Sequence, residues 1–128
     1  MKGETMTKVI LVVEDDPKSL ELTRDLLQVA GYSTIEATDG EQGVELARSK
    51  KPDLILMDIM MPKMDGYAAC YAIKMDEATR TIPVVMLTAV DYDLNKKLGT
   101  VMGADGYITK PFGRQELLDV IKRFLPNS

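Results

Sequence analysis

Four short apolar runs in this 128-residue sequence stop on residues able to do chemistry. Residues 8–13 (KVILVV) lead into Glu14-Asp15-Asp16, residues 53–57 into Asp58, residues 83–87 into Thr88 and residues 105–108 into Thr109-Lys110. If those runs are neighbouring strands pointing the same way, carboxylates, a hydroxyl and an ammonium meet on one rim. Carboxylates a few ångströms apart raise one another's pKa unless a cation lies among them. The chain has no histidine and one cysteine, Cys70. Its donors are therefore hard oxygens, which suit Mg²⁺ (or Mn²⁺) and not Zn²⁺. An open metal position beside a carboxylate is what phosphoryl transfer to that carboxylate requires. In such a site Lys110 neutralises a phosphate oxygen as a point charge, and the Thr88 hydroxyl bonds another.

The elements that must position these residues follow from periodicity. Residues 8–13, 53–57 and 83–87 are almost continuous in Val, Ile, Leu and Met, as strands buried on both faces should be. Residues 33–37 and 105–108 alternate more, which places them nearer the sheet edges. Five helical patterns lie between and after the runs. Leu22, Leu26 and Val29 mark the first, opened by Pro17 and ended by Gly31. Asp39 caps the second, with Gln42 reaching back, and Asp65 precedes the third. Leu94, Leu98 and Val101 mark the fourth, ended by Gly103; Leu117, Ile121 and Phe124 mark the fifth, stopped by Pro126. Strict alternation with crossovers of this length requires parallel strands and right-handed connections. One doubly wound α/β domain of type (βα)₅ is predicted over residues 8–125, with residues 1–7 as an N-terminal extension and 126–128 as a tail. Sheets of this kind carry their sites at the carboxyl ends of the strands.

Composition narrows the function classes. Hydrophobic residues make up 45% and charged residues 28%, enough for a core and a solvated surface, so disorder is excluded. Sixteen basic against twenty acidic residues give a net charge of −4, which argues against a nucleic-acid-binding face. Residues 1–6 lack the apolar core of a signal peptide, and no apolar run approaches the length of a bilayer span. A single cysteine and these absences predict a cytoplasmic protein.

Five motifs in fixed order carry a resemblance. They are Val12-Val13-Glu14-Asp15-Asp16, Asp53-Leu54-Ile55-Leu56-Met57-Asp58-Ile59-Met60-Met61-Pro62, Asp65-Gly66, Thr88-Ala89 and Lys110-Pro111-Phe112. Over nearly its whole length the chain resembles the response-regulator receiver domains of two-component signalling. The resemblance implies a flavodoxin-like three-layer sandwich with a parallel five-stranded sheet of order 2-1-3-4-5. It implies that Asp58 takes a phosphoryl group from a phosphohistidine on a sensor histidine kinase or phosphotransfer protein. Asp15 would then ligate Mg²⁺ directly, Glu14 through a water, and the Met60 backbone carbonyl would be the third protein ligand. It further implies a cis Lys110–Pro111 peptide, Thr88 as a switch hydroxyl and Tyr107 as an aromatic that turns inward with it. The output surface would be the fourth helix, fifth strand and fifth helix, with Lys96, Lys97, Tyr107, Arg114 and Gln115 exposed to a downstream protein effector. No direct contact with nucleic acid or membrane is implied. Met60 and Val90 stand where side chains influence hydrolytic water, and both are apolar, so they are expected to shield the acylphosphate.

Each residue also has a plainer reading. Asp58 could simply open a loop, but its place between the apolar run and Pro62 favours chemistry. Glu14 and Asp15 could cap a helix, yet Asp16 can already do so, with an outer metal shell as its alternative role. Lys110 could be a surface lysine, although Pro111 restricts its backbone. Thr88 could be an ordinary strand residue and Tyr107 a half-buried edge aromatic. Gly66 reads as a turn requirement, and Met57, Met60, Met61, Met64 and Cys70 as packing. Two rival functions remain. A Mg²⁺-dependent phosphatase with an aspartyl-phosphate intermediate would carry its nucleophile on the first strand as Asp-x-Asp. A phosphorylation-independent docking module would lack the acceptor, acids or lysine, and none is missing. The expected protein is a switch and not a turnover enzyme, either a single-domain regulator or a receiver excised from a longer one.

Overall fold

Apolar residues on both faces of three consecutive strands dictate a sheet covered on both sides. The computed structural model describes residues 7–88 and 103–128. Along them run β1 (Val9–Val13), α1 (Pro17–Val29), β2 (Ser33–Ala37), α2 (Gly40–Lys50), β3 (Leu54–Asp58), α3 (Gly66–Met75), β4 (Val84–Thr88), β5 (Gly106–Thr109) and α4 (Arg114–Phe124). The fourth helical pattern of the sequence, with Ala89, Val90, Lys96 and Lys97, lies outside the described residues; α4 is the fifth pattern. The sheet order is β2-β1-β3-β4-β5 and every pairing is parallel, as expected.

The period of two sends alternate strand residues to opposite faces. Ile10, Val12, Leu54, Leu56, Val85 and Leu87 pack with Leu20 and Leu27 of α1 and Leu117 and Ile121 of α4. Leu11, Val13, Ile55, Met57, Val84 and Met86 pack with Ala47 of α2 and Ala69, Cys70 and Ile73 of α3. The result is three layers, helices–sheet–helices. Each fully buried Leu or Ile contributes roughly 1.5–3 kcal/mol. Burial pushes the Cys70 thiol up to about 11, which suits a packing residue and not a reactive one.

Helix starts follow the capping residues of the sequence. Asp16 accepts from the Ser19 N–H at 3.0 Å, Asp39 from Gln42 at 2.8 Å and Asp65 from Ala68 at 2.9 Å. The Gln42 carboxamide does reach back, but to the Thr38 N–H at 2.8 Å, one residue before the cap. Gly31 follows α1 with φ of +100°, a conformation that suits glycine. The expected tail is tied down at its end: the Ser128 hydroxyl donates to the Leu125 carbonyl and lies 2.6 Å from the Tyr32 hydroxyl.

The second strand matches its predicted run, whereas β1, β3, β4 and β5 begin one residue later than the apolar runs suggest, and β3, β4 and β5 extend one residue further. The reason is visible at their starts. Asp53 Oδ2 accepts the Val9 N–H at 2.8 Å while the Asp53 N–H donates to the Val9 carbonyl. Asp105 does the same for Val84, also at 2.8 Å. Each aspartate closes the first rung of a neighbouring strand from outside its own. Removing the Asp53 carboxylate orphans a backbone donor, so Asp53→Ala should lose about 1 kcal/mol of stability in urea unfolding.

Candidate functional site

The one-residue extension makes Asp58 and Thr88 the last ladder residues of central strands. Asp58 is in register with Leu87, and Thr88 with Thr109. Pleating then fixes where the side chains leave the sheet, instead of leaving them on free loops. β1 also holds its direction past Val13, because the Glu14 N–H still donates to the Ala37 carbonyl at 3.0 Å. Glu14 is thereby carried inward and is only 2% exposed; Asp58 is 9% exposed and Thr88 3%. Asp15 is exposed beside them.

Lys110 follows β5 across a cis peptide to Pro111, and its backbone N–H donates to the Thr88 carbonyl. Its ammonium pairs closely with Glu14 Oε1 and lies 3.3 Å from Asp58 Oδ1. The other Glu14 oxygen accepts the Asp16 N–H at 3.3 Å. Glu14, Asp15 and Asp58 each offer an oxygen within 4.8 Å of the others. Among the described residues three carboxylates face one ammonium, which leaves an excess of negative charge, and every donor is a hard oxygen. This set fits a small divalent cation such as Mg²⁺.

Electrostatics follow from burial and crowding. Burial raises the Asp58 carboxyl, Lys110 pulls it back and Glu14 pushes it up again, leaving it at about 6. Burial alone would lower the Lys110 ammonium, but the hydrogen bond to Glu14 and the Asp58 charge outweigh it and hold the proton more firmly. Asp16 is lowered by its bonds to Ser19, in keeping with a cap. Lys110→Met would strand two buried carboxylates. In chelator it should cost about 1–2 kcal/mol, less than a wholly buried pair because the lysine side chain is 25% exposed. Added Mg²⁺ should recover part of that loss in a thermal melt.

The remaining residues take different places. Met60 lies two residues past Asp58, with its side chain 76% exposed. Tyr107 is in register with Met86 and half-buried against the α2–α3 side of the sheet. The Tyr67 phenol, on the first turn of α3, is raised by burial and next by Tyr107, so the two rings share one environment. Arg114 and Gln115 are exposed on α4, Gln115 bonded to Asp119 at 2.7 Å.

Gly66 corrects the expectation of a turn requirement. Its φ is not in the left-handed region; that conformation belongs to Lys63, with φ of +67°. What Gly66 provides is close approach. A Cβ there would lie 2.2 Å from the Asp58 carbonyl oxygen, while the Gly66 N–H donates to Ile59 at 2.8 Å. A cavity of about 330 Å³ lined by Ser19, Leu22, Thr23, Lys110, Pro111 and Phe112 opens beside the cluster. Of the three residues that mark the first helical pattern in the sequence, Leu22 is 60% and Val29 77% exposed, because α1 buries the stripe of Leu20, Thr23 and Leu27 instead.

The chain matches the response regulator receiver domain over residues 10–122. It is 43% identical over 116 residues to the DNA-binding dual master transcriptional regulator RpaA of Synechocystis sp., covering 91% of this chain and 48% of that protein. Over 120 residues it is 38% identical to the polar-differentiation response regulator DivK of Brucella ovis, covering 94% of this chain and 98% of that one. The fold is similar to the receiver domain of a sensor histidine kinase from Pseudomonas aeruginosa PAO1, solved with a magnesium ion coordinated in its active-site cleft. That likeness has a TM-score of 0.89 at 33% identity and covers 95% of this chain and 100% of the other. The chain thus spans about half the length of RpaA and nearly all of DivK. Among the described residues no helix is long and apolar enough to cross a membrane.

Proposed function

This chain belongs to the response regulator receiver domain family, the signalling switches of two-component systems, and we propose that Asp58 is the aspartate that accepts the phosphoryl group. The observation that carries this reading is the burial of Asp58 and Glu14 against the Lys110 ammonium they share, with Asp15 close by. Buried carboxylates in excess of their cations make sense as a seat for Mg²⁺ and phosphate.

A carboxylate oxygen of Asp58 attacks the phosphorus of a phosphohistidine on a sensor kinase or phosphotransfer protein. A P–O bond forms as the P–N bond breaks, and the electron pair returns to the imidazole nitrogen. Asp15, Asp58 and the Met60 carbonyl would hold Mg²⁺ directly, with Glu14 acting through water. When bound, the ion neutralises charge building on the transferring oxygens. Lys110 exchanges its carboxylate partners for a phosphate oxygen, and Thr88 at the adjoining strand end donates its hydroxyl to another. The cavity between α1 and the loop after β5 offers the donor an apolar seat beside Asp58.

The output is a two-state population shift, because phosphate makes contacts available only in one arrangement. Thr88 and Tyr107 are the residues proposed to register it, with Arg114 and Gln115 on the surface that a protein effector reads. We read the chain as a cytoplasmic switch whose phosphoryl uptake and loss are self-catalysed, not as an enzyme clearing a pool of phosphoesters.

Incubation with Mg²⁺ and acetyl phosphate tests the reading through intact-protein mass. One phosphoryl group per chain is expected, absent after chelation and absent in Asp58→Asn. If Asp58→Asn labels as well as the parent, Asp58 is not the acceptor.

A further inference from the structure

We propose that Gly40, the first residue of α2, is a positioning residue for the loop between β3 and α3, so that the turn before α2 helps set the divalent-cation affinity of the acid cluster. The inference rests on the metal-binding reading above and extends it to a residue that touches neither metal nor phosphate.

The loop runs from Ile59 to Asp65 and carries Met60. It is pinned at both ends by contacts that only glycine permits. At its start, the space a Gly66 Cβ would need is taken by the Asp58 carbonyl, 2.2 Å away. Near its end, a Cβ on Gly40 would lie 2.2 Å from the Met64 carbonyl oxygen and 3.0 Å from both the Met64 carbonyl carbon and Cβ. Gly40 is buried and its φ is not left-handed, so closeness and not backbone freedom accounts for a glycine at this position. The seat itself is fixed: Asp39 caps α2 through Gln42, and Gln42 bonds back to Thr38, at 2.8 Å each. A second fastening crosses the same seam. Lys63 holds its left-handed conformation with its ammonium 3.6 Å from Asp39 Oδ2, and the Met64 N–H closes on the Pro62 carbonyl at 2.8 Å. Met60 lies between these two anchor points in sequence. Any shift of the Met64 backbone is therefore transmitted along a short, tethered loop to Met60.

The test titrates Mg²⁺ calorimetrically into the parent, Gly40→Ala and Leu27→Ala, with unfolding of each followed in chelator. Leu27 is fully buried in the opposite layer, so its truncation destabilises the fold without touching the loop. Gly40→Ala is expected to bind Mg²⁺ about tenfold more weakly, the scale seen when a group supporting a ligand is lost. Leu27→Ala is expected to unfold more easily yet bind Mg²⁺ like the parent. Gly40→Ala binding as tightly as the parent would overturn the inference alone. A parent that takes up no Mg²⁺ would remove the metal reading and, with it, this inference. Should Gly40→Ala fail to fold, Lys63→Gln replaces it. Loss of a cation near an acidic site by itself tightens divalent binding, so weakened binding marks a released loop, and tightened binding overturns the proposal.

Discussion

In chelator at neutral pH, Asp58→Asn should unfold at a higher urea concentration than the parent, although it can no longer take up a phosphoryl group. Glu14 and Asp58 are both nearly buried, and among the described residues one ammonium, that of Lys110, serves both. Burial is the main reason the Asp58 carboxyl rises from 3.8 to about 6; Lys110 offsets part of that and the neighbouring Glu14 charge adds to it. A carboxyl whose folded-state pKa is raised destabilises the fold wherever it is ionised there. The penalty is complete above about pH 6, shrinks as pH falls through that value, and is gone below about 4, where both states are protonated. The neutral amide removes it while keeping size and shape. The gain should be about 2 kcal/mol at pH 7.5. It should shrink when the same pair is compared at pH 5. Mg²⁺ should stabilise the parent more than the variant. A parent at least as stable as Asp58→Asn in chelator would mean that the cluster is not under the electrostatic load its geometry implies.

Gly66→Ala should be the most damaging single methyl group in the described structure outside the core. The added carbon would meet the Asp58 carbonyl oxygen at 2.2 Å, the Ile59 Cα at 2.8 Å and the Asp58 carbonyl carbon at 2.9 Å. All three are backbone atoms, so no flexible side chain can swing aside. Either the first turn of α3 or the end of β3 must move, and β3 is held on both sides by β1 and β4. A loss of about 3 kcal/mol is expected, the upper part of the range for forced overpacking. Because the atom in the way belongs to the proposed acceptor, uptake from acetyl phosphate should fall even at temperatures where the variant is fully folded. Gly103 makes a useful contrast. A Cβ there would meet only side-chain atoms of Lys74, at 3.0 Å and 3.2 Å, so the cost of a substitution comes from its left-handed φ of +94° and not from a backbone clash.

Much of this architecture is written in the run of residues. Alternating apolar runs and helical patterns force a parallel sheet, and the apolar continuity of β1, β3 and β4 marks them as central. The acids, Thr88 and Lys110 are legible because each directly follows such a run, where a parallel sheet must gather them. Other features are hidden for physical reasons. Asp53 bonds to Val9 across 44 residues, and nothing local in the chain distinguishes that partner from solvent. A glycine demanded by close approach looks in sequence like one demanded by a turn, so Gly66 is misread and the left-handed lysine at 63 goes unnoticed. The bridge that the Lys110 ammonium makes to Glu14 and Asp58 joins residues 96 and 52 positions apart, so nothing local in the chain announces it. Two apolar stripes compete on α1, and periodicity within the helix does not reveal that Leu20, Thr23 and Leu27 face the sheet while Leu22 and Val29 face outward.

The decisive observation is where the phosphoryl group sits. Acylphosphates react with hydroxylamine to give a hydroxamate, which marks the modified carboxyl with a stable mass change. After treatment with acetyl phosphate, Mg²⁺ and then hydroxylamine, peptide mass spectrometry should find the mark on Asp58 and nowhere else, with no mark when Mg²⁺ is chelated. A hydroxamate at Asp15 or Glu14 with Asp58 unmodified, or marking that persists without the metal, would contradict the role assigned to Asp58.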